Sequence, residues 1–219
     1  MSTLPQASRD WTVQQVLTSA ELAFDMLLRI YAESIPPSER KSAEQLAAMV
    51  AQPEYSFLAA VENGTVVGFS IAANLRDTEA ALLEYMAMAP HQRGRGIGAW
   101  LFRETVAQPH LVGRFLLVEV DSDRTKSSDN AERTRRKAFY RRLGAKEVDG
   151  LRYRMPRVSS ATPPPMELLV FREKLPAFIE KSCARSWLQS CYAQVYGMPT
   201  ESPQIEAMLV GLPERVALV

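Results

Sequence analysis

The sequence lacks the features of membrane, secreted and metal-binding proteins. None of its apolar runs approaches the ~18 residues of a membrane span, and residues 1–10 lack the charged and apolar regions of a signal peptide. Its two cysteines, Cys183 and Cys191, lie eight residues apart in a predicted helix, too distant for a disulfide and too few for a zinc site. The two histidines, His91 and His110, are isolated from each other. We therefore expect a cytoplasmic protein with free thiols and no bound metal.

The sequence also lacks a large net charge, which is +1 at pH 7. A polyelectrolyte partner is therefore not expected, and any basic region must be local. One such region lies in a predicted helix, where the acid Glu132 is outnumbered by six cations: Arg133, Arg135, Arg136, Lys137, Arg141 and Arg142. These cations could form a solvated face, contact the phosphates of a ligand or bind nucleic acid. The absence of interleaved exposed aromatic residues argues against nucleic acid.

The most informative stretch is residues 82–106, which predicts a strand, a glycine-rich turn and a helix in one run. The segment from Leu82 to Met88 is apolar apart from one glutamate, as in a buried strand. The helix is indicated by an apolar stripe at i, i+3, i+4 and i+8: Ile97, Trp100, Leu101 and Thr105. Between them lies Gln92-Arg93-Gly94-Arg95-Gly96-Ile97-Gly98. Glycines allow the backbone to approach a ligand, and the free N–H groups and dipole of a helix N-terminus attract anions. The turn therefore predicts a phosphate-binding site.

Two motifs resemble those of the GCN5-related N-acetyltransferase (GNAT) superfamily. Arg93-x-x-Gly96-x-Gly98 is similar to the family's loop for the pyrophosphate of acyl-coenzyme A. Residues 138–145, AFYRRLGA, are similar to its later helix-end signature, and they follow another predicted strand. The resemblance covers roughly residues 10–155 and extends to 165–173, whereas the last ~45 residues resemble nothing in the family. It implies acetyl-CoA or a similar acyl-CoA donor, bound by Met86, Ala87, Met88, Arg93, Gly94, Arg95, Gly96, Ile97, Gly98, Ala99 and Tyr140.

The resemblance implies a mixed α/β fold, the acyl-CoA N-acyltransferase (GNAT) fold, with a central twisted sheet of about seven strands flanked by helices. Pattern and turn signals predict strands at residues 11–18, 55–62, 65–75, 82–88, 115–121, 148–155 and 166–173. They predict helices at residues 20–32, 38–50, 97–106, 131–143, 177–196 and 204–210. Asn63-Gly64 between two apolar runs is the strongest hairpin signal in the chain.

The chain is expected to divide into a GNAT domain, residues 1–173, and a C-terminal helical extension, residues 174–219. The apolar side of the long helix in that extension needs a partner, either its own sheet or a second subunit in a homodimer. The proline-bearing loop 156–165 is expected to be either a lid or a plain surface excursion. In the family, the first loop and helix pair forms part of the wall that contacts the acceptor.

Acyl transfer to an amine requires removal of a proton from an ammonium group, and two glutamates are candidate bases. By strand alternation, Glu84 lies on the side of Leu82, Met86 and Met88. Glu119 correspondingly lies on the side of two other apolar residues, Phe115 and Leu117. A carboxylate among apolar neighbours should have a raised pKa and act as a better base near neutrality. Alternatively, either glutamate pairs with an arginine or faces solvent.

Tyr140 is the candidate acid, because it matches the tyrosine that hydrogen-bonds the coenzyme sulfur in the family and can protonate the departing thiolate. A phenol is still protonated at pH 7. The alternative is an aromatic ring that only packs beside Phe139. The oxyanion should be held by a backbone N–H near Met88, where the fourth strand ends.

These observations favour an acetyl-CoA-dependent N-acetyltransferase that acts on an amine of a small molecule, a peptide or a protein. One alternative is a non-catalytic member that binds acyl-CoA as a sensor or interaction protein. Another is an NAD(P)-dependent oxidoreductase, because Gly94-x-Gly96-x-x-Ala99 followed by Asp121 also matches a dinucleotide fingerprint. Against the oxidoreductase, residues 89–93 separate the glycines from the strand, and two helices and a hairpin come first.

Overall fold

A seven-stranded mixed sheet forms the centre of the protein, here described from a computed structural model for residues 11–124, 129–157 and 163–219. The strands are β1 (Trp11–Val16), β2 (Tyr55–Glu62), β3 (Thr65–Asn74), β4 (Ala80–Met88), β5 (Phe115–Asp121), β6 (Lys146–Glu147) and β7 (Met166–Phe171). Their order in the sheet is β1-β2-β3-β4-β5-β7-β6. The seven predicted strands of the sheet are therefore confirmed in number.

Helices cover both faces of this sheet. They are α1 (Leu22–Ser34), α2 (Ala43–Val50), α3 (Ile97–Val106), α4 (Asn130–Arg142), α5 (Lys181–Gln194) and α6 (Pro203–Leu209). On one face, Leu27 of α1, Leu46 of α2 and Trp187 of α5 are buried in one apolar core. On the other face, α3 and α4 pack through residues such as Phe102 and Tyr140. The mixed α/β GNAT fold is confirmed, and no helix in the described ranges is long and apolar enough to cross a membrane.

Strand pairing is antiparallel throughout the sheet except between β4 and β5, which are parallel. This pairing ends at Leu83 and Val118, although β4 continues to Met88 and β5 to Asp121. A gap therefore opens between the carboxyl ends of the two strands. The predominance of antiparallel pairs excludes the parallel, doubly wound sheet that a dinucleotide-binding oxidoreductase requires.

The predicted hairpin is confirmed. β2 and β3 pair from Glu62 opposite Thr65, and Asn63 and Gly64 have φ of 50° and 75°. Both turn residues thus occupy the left-handed region that a two-residue hairpin of this type needs.

The second helix begins later than predicted. Residues 38–42 do not belong to it, because Pro37–Glu39 form a single 3₁₀ turn and α2 starts at Ala43. The Ser42 side chain accepts a hydrogen bond from the Gln45 N–H at 3.2 Å, and the Gln45 side chain accepts one from the Ser42 N–H at 2.7 Å. This capping box fixes the helix start and leaves the preceding residues as a loop.

The predicted strand over residues 148–155 is wrong. β6 ends at Glu147, and Val148 makes only an isolated bridge to Leu218. The alternating burial that suggested a strand is present, since Leu151, Tyr153 and Met155 are buried. However, this segment packs on the C-terminal part of the chain instead of pairing with a strand. The predicted polar loop 122–130 and the loop 156–165 include residues 125–128 and 158–162, which lie outside the described ranges.

The long C-terminal helix also starts later than predicted. Residues 178–180 form a strand, β8 (Phe178–Glu180), which pairs with a second unpredicted strand, β9 (Arg215–Ala217). The apolar side of α5 is covered by the chain's own sheet, since the Trp187 and Phe115 rings lie 4.9 Å apart. As predicted, both thiols are free, with Cys191 buried and Cys183 exposed. We propose that residues 174–219 belong to the same folding unit as the sheet, because their buried side chains lie in the same apolar core as those of the sheet.

If the C-terminal extension belongs to this core, Trp187→Ala should destabilise the whole chain. Trp187 is 3% exposed, and deleting a buried tryptophan side chain costs about 3–5 kcal/mol. Urea denaturation would measure the loss in a single transition. The control is Leu22→Ala, because Leu22 is 73% exposed and its removal should change stability by no more than about 0.5 kcal/mol. An unchanged midpoint for Trp187→Ala would show that α5 is not coupled to the sheet.

Candidate active site

A cavity of about 730 Å³ lies at the gap between β4 and β5. Because the gap passes through the sheet, residues from both faces line the same space. The sequence-predicted residues that line it are Glu84, Met86, Ala87, Met88, Arg93, Gly94, Gly96, Ile97, Gly98, Ala99, Glu119 and Tyr140. Glu84 and Glu119 are 35 residues apart in the sequence, and the fold brings them to one site.

The glycine-rich turn leads directly into the cavity. Gly94 and Gly96 have φ of 80° and 87°, in the left-handed region that favours glycine. Gly96 is the residue that precedes α3, and its helix start has no side-chain cap among the described residues. The first N–H groups of α3 therefore remain available to a ligand, and the helix dipole favours an anion there.

Arg95 is the one predicted cofactor-binding residue that does not line the cavity. Its guanidinium donates two hydrogen bonds to the Glu62 carboxylate, at 2.7 and 2.8 Å, and a third to Gln92. This pair fixes the turn against the end of β2. Arg95 is thereby an anchor of the turn, and its charge is partnered within the protein.

The positive charge of the cavity comes from other arginines. Arg93, Arg103, Arg135 and Arg142 line it, and none of them forms an ion pair with a described residue. The other four cations of α4 are paired with acids: Arg133 with Asp129, Arg136 with Asp121, Lys137 with Glu167, and Arg141 with Glu147. Much of the charge of the basic helix is thus neutralised locally, and three of its arginines, Arg135, Arg136 and Arg142, line the cavity.

Tyr140 lies on the α4 wall of the cavity. Its ring contacts Phe139 and Phe102, with centroids 5.0 and 5.9 Å away, and the residue is 6% exposed. Burial raises the pKa of its phenol to about 12. No described residue hydrogen-bonds its hydroxyl, so this proton donor is available to a ligand.

Strand alternation placed Glu84 correctly with Leu82 but wrongly with Met86 and Met88. The register between β3 and β4 shifts at Glu84, since Ile71 faces Tyr85 but Ala72 faces Leu83. This β-bulge places one extra residue in β4 and reverses the alternation that follows it. Consequently Glu84 is on the α1 side with Leu82 and Tyr85, whereas Met86 packs on the opposite face.

Glu84 forms a buried ion pair with Lys41, from the loop before α2. The two side chains are 3% and 10% exposed. Burial raises the pKa of the Glu84 carboxyl, and the ammonium of Lys41 opposes that rise. Glu84 therefore forms an ion pair, as the alternative to a free base predicted, but its partner is a lysine and not an arginine.

Glu119 lies on the side of β5 that alternation predicted, and it accepts hydrogen bonds from two tyrosine hydroxyls. One comes from Tyr153 and the other from Tyr196, at 2.6 Å. Burial raises the pKa of the Glu119 carboxyl, and these two hydrogen bonds oppose the rise. Neither tyrosine could be predicted from the sequence, because each is brought to β5 by long-range packing.

Glu39 is a third carboxylate of the cavity that the sequence did not suggest. It belongs to a polar loop after two prolines, and only the packing of that loop over the gap reveals its position. Within residues 11–124, 129–157 and 163–219, no group of three or more His, Cys, Asp or Glu side chains is arranged to hold a metal ion.

Comparison with known proteins identifies the part of the chain that forms this site. Residues 53–144 match the family model of the acetyltransferase (GNAT) domain. None of the curated proteins compared with the chain matches. The GNAT match includes β4, the glycine-rich turn, β5 and Tyr140, but it excludes Glu39, Lys41, Tyr153 and Tyr196.

Solved structures share the fold of this chain. A protein from Bacteroides thetaiotaomicron described as a GNAT-family acetyltransferase superposes with a TM-score of 0.69 and 21% identity over 85% of this chain and 99% of its own. An acetyltransferase from Salmonella typhimurium with its cofactor acetyl-CoA gives 0.55 and 14%, over 77% and 97%. The ribosomal-protein-S18-alanine N-acetyltransferase of Escherichia coli gives 0.52 and 18%, over 76% and 99%.

The Lys41–Glu84 pair predicts a pH-dependent loss of stability in Lys41→Met. Removing one partner of a buried ion pair costs about 3–5 kcal/mol, because a carboxylate is left without its cation. The pKa of Glu84 should then rise further above its unfolded value of about 4.3. Between those two pKa values the native state holds more protons than the unfolded state, so stability falls as the pH rises.

Urea denaturation at pH 5 and pH 8 would measure this effect. We expect Lys41→Met to be clearly less stable than the parent at pH 8 and to recover part of the loss at pH 5. Lys174→Met is the control, since Lys174 is exposed. Equal stability of Lys41→Met and the parent at pH 8 would mean that the ion pair is dispensable.

Proposed function

We propose that this protein is an N-acetyltransferase that transfers the acetyl group of acetyl-CoA directly to an amine of a small molecule, a peptide or a protein. The observation that carries the proposal is the cavity that passes through the sheet. Its α3 and α4 side offers a helix N-terminus and unpaired arginines, and its α1 side offers three glutamates. An anionic donor and an ammonium-bearing acceptor can therefore meet at the gap between β4 and β5.

The cavity has the groups that a coenzyme A thioester needs. The glycine-rich turn and the start of α3 suit its pyrophosphate, and Arg93, Arg103, Arg135 and Arg142 supply charge. Beyond Leu83, β4 has no strand on its β5 side, so its edge can hydrogen-bond the amides of an extended ligand. The acetyl-CoA in the Salmonella structure supports this choice of donor.

The transfer step needs an oxyanion donor and a proton for the departing thiolate. A backbone N–H near Met88 suits the oxyanion, because hydrogen-bond donors fixed in a partly desolvated site stabilise charge as it develops. The Tyr140 hydroxyl suits the thiolate, since it is protonated at neutral pH and has no partner among the described residues. These roles make the bound thioester reactive toward a neutral amine.

The first test concerns donor binding. Acetyl-CoA at ~100 times its Kd should raise the free energy of unfolding by about 2.7 kcal/mol, visible as a higher Tm. Gly96→Val should fold but lose this response. The valine side chain would occupy the open space through which the ligand reaches the backbone of the turn.

Gly113→Val is the matched control for that substitution. Gly113 has φ of 79°, and a Cβ there also meets nothing within 4 Å, but the residue is not part of the cavity lining. The backbone strain of about 1–2 kcal/mol should be similar in the two variants. Equal acetyl-CoA affinity in folded Gly96→Val and Gly113→Val would reject the turn as the donor site.

The second test separates chemistry from binding at Tyr140. Tyr140→Phe keeps the ring contacts and removes only the proton donor. If thiolate departure limits the rate, the single-turnover rate constant should fall at least about 10²-fold while acetyl-CoA affinity barely changes.

A packing role predicts the opposite order of effects. Tyr140→Phe would then be nearly silent, and Tyr140→Ala would lose a few kcal/mol of stability through the cavity it creates. Single-turnover rates and urea denaturation for both variants distinguish the two roles. A parental rate in Tyr140→Phe under chemistry-limited conditions would remove Tyr140 from the mechanism.

A further inference from the structure

Three carboxylates line the α1 side of the cavity, and two of them are already engaged within the protein. Glu84 is paired with Lys41. Glu119 accepts hydrogen bonds from Tyr153 and Tyr196. The third, Glu39, has neither a side-chain hydrogen bond nor an ion pair with any described residue. On the α1 side of the cavity, it is therefore the carboxylate whose two oxygens both lack a partner among the described residues.

The backbone around Glu39 is nevertheless fixed. The Tyr85 hydroxyl donates a hydrogen bond of 2.9 Å to the Glu39 carbonyl oxygen. Two residues further on, the Lys41 N–H donates one of 2.8 Å to the Tyr31 hydroxyl. The two tyrosine rings pack edge to face, 5.0 Å apart, in the core beneath α1. Between these anchors, the Arg40 guanidinium donates to the Ile35 carbonyl. The loop is held on both sides of a carboxylate that itself has no partner.

The charges that face Glu39 come from two packed elements. On β5 these are Asp121 and Glu119, and on α4 they are Arg136 and Arg133. Both arginines have acids of their own: Arg136 donates to Asp121 at 2.9 Å and Arg133 to Asp129 at 3.0 Å. Lys41, two residues from Glu39 in the sequence, forms its ion pair with Glu84. None of these three cations forms an ion pair with Glu39, and the two arginines only partly offset the negative charges around it.

We propose that Glu39 receives the ammonium group of the acceptor and removes its proton. This inference rests on the proposed acetyl transfer and adds the base to it. The substrate class is a primary amine that is cationic at neutral pH, because an ammonium supplies the positive charge that Glu39 lacks. The tetrahedral arrangement of its N–H donors also suits several carboxylate oxygens at once.

With Glu39 as the base, every proton of the transfer step is accounted for. Glu39 takes one proton from the ammonium, and the nitrogen lone pair then forms a C–N bond to the thioester carbonyl carbon. As the C–S bond breaks, its electron pair stays on sulfur, which takes a proton from Tyr140. The nitrogen loses its second proton to the Tyr140 oxygen. Acetyl amide and thiol leave, and Glu39 releases its proton to solvent.

The pKa of Glu39 agrees with this role. Burial, together with the negative charges of Asp121 and Glu119, raises it to about 7. A general base is most effective when its pKa is near the working pH. Because only the carboxylate form accepts a proton, kcat/KM should rise as the pH increases through about 7.

Binding of ammonium ions tests the site without turnover. The probes are methylammonium, butylammonium and benzylammonium, each paired with the corresponding alcohol, added to the full-length protein with coenzyme A. At least one ammonium ion should raise the Tm more than its alcohol does, and Glu39→Gln should abolish that preference. Glu33→Gln, which removes an exposed charge from the end of α1, should retain it. Absence of the preference in the parent protein, or its persistence in Glu39→Gln, would overturn the proposal.

Acetyl transfer to the best of these amines tests the base role. Glu39→Gln should lower kcat/KM at least about 10²-fold at pH 6.5, lose the inflection near pH 7 and recover toward the parent at pH 9, where more amine is neutral. Its acetyl-CoA affinity should be unchanged. If Glu39→Gln had the kcat/KM of the parent and Glu119→Gln had lost it, Glu39 would not be the base. The proposed acetyl transfer would still stand in that case. Failure of the parent protein to bind acetyl-CoA would instead reject the proposed function.

Discussion

The end of the parallel pairing at Leu83 and Val118 is the constraint on which the rest of the site depends. Beyond it, β4 stays paired to β3 up to Met88 and β5 to β7 up to Asp121, so each strand is held by its outer neighbour while the inner edges separate. Buried backbone groups need partners, and these edges therefore suit a ligand with amides of its own. The bulge at Glu84 follows immediately, and the extra twist of a bulge turns the strand away from β5.

The gap also explains how a chain with almost no net charge can present positive and negative groups in one cavity. Among the described residues, no acid pairs with Arg93, Arg103, Arg135 or Arg142 on the α3 and α4 side, and no cation pairs with Glu39 on the α1 side. The remaining charges of α4 are neutralised locally, as in the pairing of Lys137 with Glu167. The net charge of +1 is a sum over both sides of the cavity. It therefore does not reveal that positive and negative groups are separated within that cavity.

Features fixed by short-range backbone requirements could be predicted from the sequence. The glycines of residues 92–98 and the Asn63-Gly64 turn need particular φ angles, and the helix and hairpin they predicted are present. Features that depend on distant partners could not. Alternation at 148–155 arises from packing on the C-terminal part of the chain, and residues 178–180 form a strand only because residues 215–217 pair with them. The side on which Glu84 lies depends on a register shift against β3, which no local pattern encodes.

Lys41, Tyr153 and Tyr196, which hydrogen-bond the carboxylates of Glu84 and Glu119, lie outside the segment that matches the family model, residues 53–144. Lys41 comes from the loop before α2, and Tyr196 follows α5 in the C-terminal extension. Tyr196 connects the two, because its hydroxyl donates to Glu119 at 2.6 Å and its ring centroid lies 5.7 Å from the Lys41 ammonium. Partners of Glu84 and Glu119 therefore come from segments that the family model does not match, although both glutamates lie within the match. Since α5 reaches this site through the same packing that covers the sheet, changes in the extension should alter acceptor recognition and stability together, while leaving the turn that precedes α3 intact.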